Sequence, residues 1–239
     1  MKNKLLIGLT TAFFLIGMVG LANAVPVTFF GEDLNNYERT NADAAHDEFM
    51  ANLSGVGTED FEGFADGTPA PIALDFGLAG TATLSGPGAI QEGPNVGRWA
   101  TSGSRYWETN EDFTISFSES ISAFGFYGTD IGDFGGELTI NYVNGASNTL
   151  SVGNSTGQGN FEGTVLYYGF YEDDPLYAFN SIEFGNTTGS DWFGFDDMTI
   201  GTYEQVTPEP VPEPATIILM GIGLLGLMGY SRKRFNKKV

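Results

Sequence analysis

Phe113-Thr114-Ile115-Ser116-Phe117-Ser118 alternates apolar and polar residues without a break. A period of two puts Phe113, Ile115 and Phe117 on one face, the pattern of a strand with one side in a core and one in water. The pattern continues in both directions. Phe124 and Phe126 follow Glu119-Ser120, and Leu138, Ile140 and Tyr142 form another alternating run. Asn144-Gly145 after that run is a strong hairpin signal, with Leu150 and Val152 on the return strand. Val165 to Phe170, Ala178 to Phe184 and Phe193 to Ile200 supply later strands, and Ile72 to Phe76 and Thr81 to Leu84 earlier ones. One segment has the other period. Ala45, Phe49 and Leu53 recur four residues apart, with Asn41 placed to cap a helix and Gly55 or Gly57 to end it. Eight or nine short strands and one peripheral helix predict an all-β fold: a two-sheet antiparallel β-sandwich of jelly-roll-like type over residues 25–201, with a closed barrel as the alternative.

The two ends follow different physics. Lys2 and Lys4 precede an apolar core from Leu5 to Leu21, and Ala22-Asn23-Ala24 is a small-x-small cleavage site. Residues 1–24 therefore predict a secretory signal peptide cut before Val25, which calls on the Sec export machinery and signal peptidase. At the other end a Pro/Glu stalk, 202–211, leads to Pro212-Glu213-Pro214 and an apolar run from Ala215 to Tyr230. As a helix those residues span about 24 Å, somewhat less than a hydrocarbon core of about 30 Å. Arg232 and Lys233 can lengthen the span by snorkelling. The basic residues Arg232, Lys233, Arg234, Lys237 and Lys238 follow the run, which predicts a transmembrane segment with a cytoplasmic C-terminus.

Val-Pro-Glu-Pro-Ala-Thr, a short Gly/Leu-rich apolar stretch and a Ser-Arg-Lys-Arg cluster together resemble the PEP-CTERM sorting signal, whose tail is also labelled "ice-binding protein C-terminal". The resemblance covers 212–238 with its flanking Val211 and implies recognition by exosortase, a membrane-embedded transpeptidase-like enzyme. It implies processing near Pro212, Glu213 and Pro214, then release or attachment at the cell surface. Two internal segments, Gly125 to Phe134 and Trp192 to Ile200, resemble stretches recurring in ectodomains of PEP-CTERM surface proteins; that resemblance supplies no activity. The ice-binding label brings no expectation of ice binding, because the chain has no Thr-x-Thr repeats.

Between Val25 and Val211 the chain sets 29 carboxylates against three arginines, Arg39, Arg98 and Arg105, a net charge of −26 with histidine neutral. Such a field repels phosphates, which excludes nucleic acid as a partner. There is no cysteine, so the exported domain must rest on its apolar core, and thiolate chemistry is absent. The single histidine, His46, falls in the predicted helix among acidic residues, where a structural or solvated role is expected.

Two constellations are candidate sites. Trp99, Tyr106, Trp107 and Trp192, with Arg98 and Arg105 beside them, offer aromatic faces for sugar rings and guanidinium donors for hydroxyls; the competing reading places the large rings in the core. Asp130, Asp133, Asp196 and Asp197 supply hard oxygens suited to calcium, although Asp also forms turns, and no cofactor is required by the sequence. Glu172 to Asp174, before Pro175, read as turn formers. No nucleophile elbow or phosphate loop appears, and a lone histidine builds no triad, so an enzyme is not expected. The functional expectation is a surface or matrix protein whose acidic sandwich associates with exopolysaccharide. The alternatives are a structural coat or biofilm component without a ligand site, and a secreted glycan-active hydrolase.

Overall fold

In the computed structural model the described residues are 25–34, 37–130, 136–152, 164–186 and 192–207. All of them belong to the first of two compact units, Met1–Thr207 and Pro208–Val239. The expected signal peptide, the sorting motif, the apolar run 215–230 and Asp133 lie outside the described residues, as do 208–211 of the stalk. Among the described residues no helix is long and apolar enough to cross a membrane.

Alternation makes two antiparallel sheets, as expected. The larger has the order β1 (Val27–Asp33), β11 (Val165–Tyr171), β8 (Ala123–Thr129), β13 (Phe193–Gly201), β6 (Arg105–Thr109) and β5 (Ala89–Glu92), with β2 (Gly57–Glu59) also on β13. The smaller runs β10 (Ser147–Ser151), β9 (Gly136–Tyr142), β12 (Phe179–Asn186), β7 (Phe113–Ile121), β4 (Thr81–Ser85) and β3 (Ile72–Asp75). The chain changes sheet between β7 and β8, between β8 and β9, and at each step from β10 to β13, so neighbours in sequence face one another across the core. Phe113, Ile115 and Phe117 point inward from β7, as their spacing predicts, and meet Phe124, Phe126, Phe193 and Phe195 of the larger sheet. Phe126 and Phe195 stack with centroids 4.7 Å apart.

Four strands escape the alternation rule. β1, β2, β5 and β6 were not expected, because Val-Thr-Phe-Phe-Gly-Glu-Asp and Arg-Tyr-Trp-Glu-Thr do not alternate. In β6, β8, β11 and β13 nearly every residue is buried, so both faces are covered and period two disappears.

What covers the second face of the larger sheet is the helix α1, Thr40–Met50. Its apolar side, Ala42, Ala45 and Phe49, packs on Tyr127, Val165, Tyr167 and Tyr171. Gly125 and Gly169 make the docking possible: a Cβ at either would run into the Phe49 ring. The helix start differs from expectation. Asn41 lies inside the helix, and the capping acceptor is Asp33 of β1, whose Oδ2 receives the N–H groups of Asn41 (2.8 Å) and Ala42 (2.9 Å). Leu53 lies beyond the helix end, paired with Val206 in a β-bridge.

Candidate functional site

The rest of the larger sheet's outer face is covered by a loop, residues 93–104, held almost entirely by acidic side chains. Arg98 Nε donates to Glu108 Oε1 at 2.5 Å and its Nη1 to Asp130 Oδ2 at 3.3 Å. Asn95 also donates to Glu108, at 3.1 Å. Trp99 exchanges two hydrogen bonds with Thr129: its N–H donates to Oγ1 at 3.3 Å and its carbonyl receives the hydroxyl at 3.2 Å. Glu62 accepts the N–H groups of Ser104 (2.6 Å) and Arg105 (2.7 Å). These bonds, the first of them foremost, hold the Glu62 carboxyl below its ordinary range.

The firmest attachment comes from β13. Between Asp196↔Tyr127 and Thr199↔Gly125 the register gains one residue on β13, a β-bulge, and Asp197 takes a left-handed φ of 48°. The bulge turns two consecutive carboxylates toward the loop. Asp196 Oδ2 accepts Thr101 N–H (2.6 Å) and Ser102 N–H (3.2 Å) and lies 3.0 Å from Thr101 Oγ1. Asp197 accepts the hydroxyls of Thr101 (2.8 Å) and Ser102 (2.7 Å). Asp196 is 1% exposed, and burial first, then the charge of Asp197, pushes its carboxyl up to about 8.

Between α1 and the outer face of the larger sheet lies an open pocket of about 350 Å³, which Thr58 of β2 also lines. Arg39, Asp43, His46 and Asp47 line it from the helix side, and Tyr127 and Asp197 from the sheet. Arg39 ties the walls together. It donates to the carbonyl of Thr101 on the loop, pairs with Asp43 at 3.1 Å and lies 5.0 Å above the Tyr127 ring. The Tyr127 hydroxyl donates to Asp43 at 2.8 Å, and burial foremost, then that acceptor, raises the phenol far above its usual value. His46 sits 3.2 Å from Asp47 and rests on Tyr127 and Tyr167, at 5.6 and 5.2 Å between centroids. The Tyr167 hydroxyl is buried without a hydrogen-bond partner among the described residues. The exposed ring of Tyr37, two residues before Arg39, meets Trp99 edge-on at 5.4 Å.

The aromatic set expected from sequence separates here. Tyr106 and Trp107 are 0% exposed, so no sugar ring can reach them. Trp107 is core, and Tyr106 fills the outer layer against the place where a Cβ on Gly194 would stand. Arg105 is spent on structure: its Nη1 donates to the carbonyls of Glu62 and Phe64, and Nη2 lies 3.4 Å from Glu92. Trp99 and Trp192 remain reachable, Trp192 at 44% exposure with the Arg98 guanidinium 5.9 Å from its ring. Of the expected calcium ligands, Asp130 faces Arg98, and Asp196 and Asp197 hold the loop. Among the described residues no three His, Cys, Asp or Glu side chains group as a metal ion would need.

Sequence reasoning missed Tyr37, Arg39, Asp43 and Asp47 as site residues. A faint signal was available: Arg39 and His46 are seven residues apart, about two helical turns, and so share a face.

A family model described as the PEP-CTERM protein-sorting motif matches residues 207–234. The chain carries a PEP-CTERM sorting signal. The motif takes in the expected Pro212, Glu213 and Pro214 and implies export and sorting to the cell surface by exosortase. No curated protein matches the chain. Among solved structures, the K2 cleaved adhesin domain of Lys-gingipain is similar at 15% identity over 62% of this chain and 98% of its own, with a TM-score of 0.40. The xylan-binding domain from CBM 22 matches at 14% identity, 63% and 96% coverage and a TM-score of 0.35. The CBM22-1 xylan-binding domain from Paenibacillus barcinonensis Xyn10C gives 14%, 60% and 99%, and 0.34. The sandwich assignment rests on the strand pairing above, and these scores add nothing about a ligand.

Proposed function

We propose that this PEP-CTERM protein is an exported surface or matrix protein that associates with exopolysaccharide through the pocket between α1 and the larger sheet. In this reading it passes through an inner-membrane-anchored precursor facing the periplasm. Exosortase then acts near Pro212-Glu213-Pro214, and the protein reaches the cell surface or matrix.

The observation that carries the binding reading is the pairing of an open polar pocket with accessible aromatic rings. Asp43, Asp47 and Asp197 present acceptors to sugar hydroxyls, while Tyr37, two residues before Arg39, and Trp99, two residues before the Thr101 carbonyl that Arg39 binds, offer ring surface. The loop that carries Trp99 is fixed at six of its residues by the bonds described above, so the site is preorganised before any ligand arrives. A binding role rather than catalysis fits His46, whose Nδ1 faces Asp47, with no Ser or Thr hydroxyl bonded to the ring among the described residues.

Co-sedimentation of the full-length protein with a panel of insoluble and gel-forming polysaccharides tests the reading. At least one polysaccharide should retain it, and Tyr37→Ala and Trp99→Ala should each weaken retention several-fold. Retention by none, or retention indifferent to both substitutions, would leave a structural coat protein as the better account.

A further inference from the structure

The pocket's charge says which saccharide it suits, an inference that rests on the binding reading above. Asp43, Asp47 and Asp197 face Arg39 as the pocket's one guanidinium, while Asp196 lies behind Asp197. Arg39 is already engaged by the Thr101 carbonyl, by Asp43 and by the Tyr127 face. His46 stands against Asp47, 3.2 Å away. The surrounding domain adds a field of net charge −26. A uronate or sulfated polymer entering here would bring carboxylates or sulfates against carboxylates and meet no uncommitted guanidinium in the pocket.

We infer that the pocket between α1 and the larger sheet selects a saccharide bearing ammonium groups, such as a partly de-N-acetylated hexosamine polymer. An ammonium offers three donors and no acceptor, which matches a site lined by acceptors. Asp47 is the natural first contact, since its side chain is 82% exposed and, among the described residues, held by His46 at 3.2 Å. Asp197 is the inner one, its oxygens already polarised by the Thr101 and Ser102 hydroxyls. The Tyr37 and Trp99 rings then cover the apolar face of the same or the adjoining sugar, and an ammonium near an aromatic face gains further attraction.

Calorimetric titration of the detergent-solubilised full-length protein with a β-1,4-glucosamine hexamer and its fully N-acetylated counterpart, at about pH 6 where amines are protonated, tests the inference. Two or three partly exposed charge pairs correspond to about tenfold tighter binding of the amino form, weakening as salt is added. Asp47→Asn should remove part of that preference, while Glu119→Gln, an exposed acid on the smaller sheet, should leave it unchanged. Equal affinity for the two hexamers would overturn the charge selection and leave the glycan reading standing. A preference unchanged in Asp47→Asn would also overturn it, because the attraction would then belong to the whole acidic domain. Binding of neither hexamer, nor of any polysaccharide in the panel above, would remove the glycan reading and this inference with it.

Discussion

Thr101 places one hydroxyl between two carboxylates, 3.0 Å from Asp196 Oδ2 and 2.8 Å from Asp197 Oδ2. One hydroxyl has one proton, so it cannot satisfy both acceptors while both are ionised. A proton on Asp196 resolves the conflict, in agreement with the upward push that burial gives this carboxyl.

The pH dependence follows from this pair. Asp196 is raised to about 8 and Glu172, buried at the end of β11, to about 7, both mainly by burial. In the unfolded chain both titrate near 4, so between about pH 4 and pH 8 the folded state holds more protons than the unfolded one. Stability is therefore fully present at the acidic end and declines as pH rises through that window. Thermal unfolding from pH 4.5 to pH 9 should show a falling Tm that levels above about pH 8. Asp196→Asn should flatten the part of the slope above about pH 7, and a Tm that climbs with pH would contradict the assignment.

Thr101→Val keeps the side-chain shape and removes the shared hydroxyl. The loop loses one attachment and Asp196 meets Asp197 without a mediator, at a cost of about 1–3 kcal/mol. Trp99, on the same loop, should emit further to the red as the loop loosens. An unchanged emission spectrum would mean that the backbone bonds suffice.

Gly125 carries the helix docking. Gly125→Ala sets a methyl against the Tyr167 hydroxyl and the Phe49 ring, and overpacking of this kind costs about 1–3 kcal/mol. Hydrogen exchange should quicken in α1 ahead of the smaller sheet. A uniform loss of protection would show that the helix and sandwich unfold as one.

Core and site aromatics separate by substitution. Trp107→Ala opens a cavity at the centre of the core and should cost about 3–5 kcal/mol. Tyr37→Ala, at an exposed position, should leave Tm within about a degree while weakening polysaccharide retention.

Calcium offers a fifth check. Asp130 faces Arg98, and Asp196 and Asp197 are occupied by the loop. Chelator and added calcium should therefore give the same Tm, since an ion that favours the folded state must raise it. A calcium-dependent rise would require ligands beyond these three.

The sandwich was legible wherever one face of a strand met water: β7, β9 and the β9–β10 turn stand in the sequence as alternation and Asn-Gly. It was illegible in β6, where nearly every residue is buried and the period is erased, and in β1, where Val27, Thr28 and Phe30 are exposed and Phe29 and Phe30 stand side by side. The site failed for a related reason. Trp107 and Trp99 look alike as letters, and only the strand register decides that one enters the core and the other the loop. Asp196-Asp197 interrupting Phe-Gly-Phe did signal something special, but the bulge directs the pair to Thr101 and Ser102. The pocket joins residues about 160 positions apart, from Arg39 to Asp197, and no local pattern links them.

His46, the chain's single histidine, stands in the pocket wall, so the NMR spectrum of the full-length protein should hold a single histidine imidazole signal. Following that signal while a binding oligosaccharide is titrated tests the central claim. The account predicts a saturable shift of the His46 resonance, with the same dissociation constant as bulk binding and lost in Tyr37→Ala. A glycan that binds while the His46 resonance stays still would place recognition elsewhere on the molecule and contradict it.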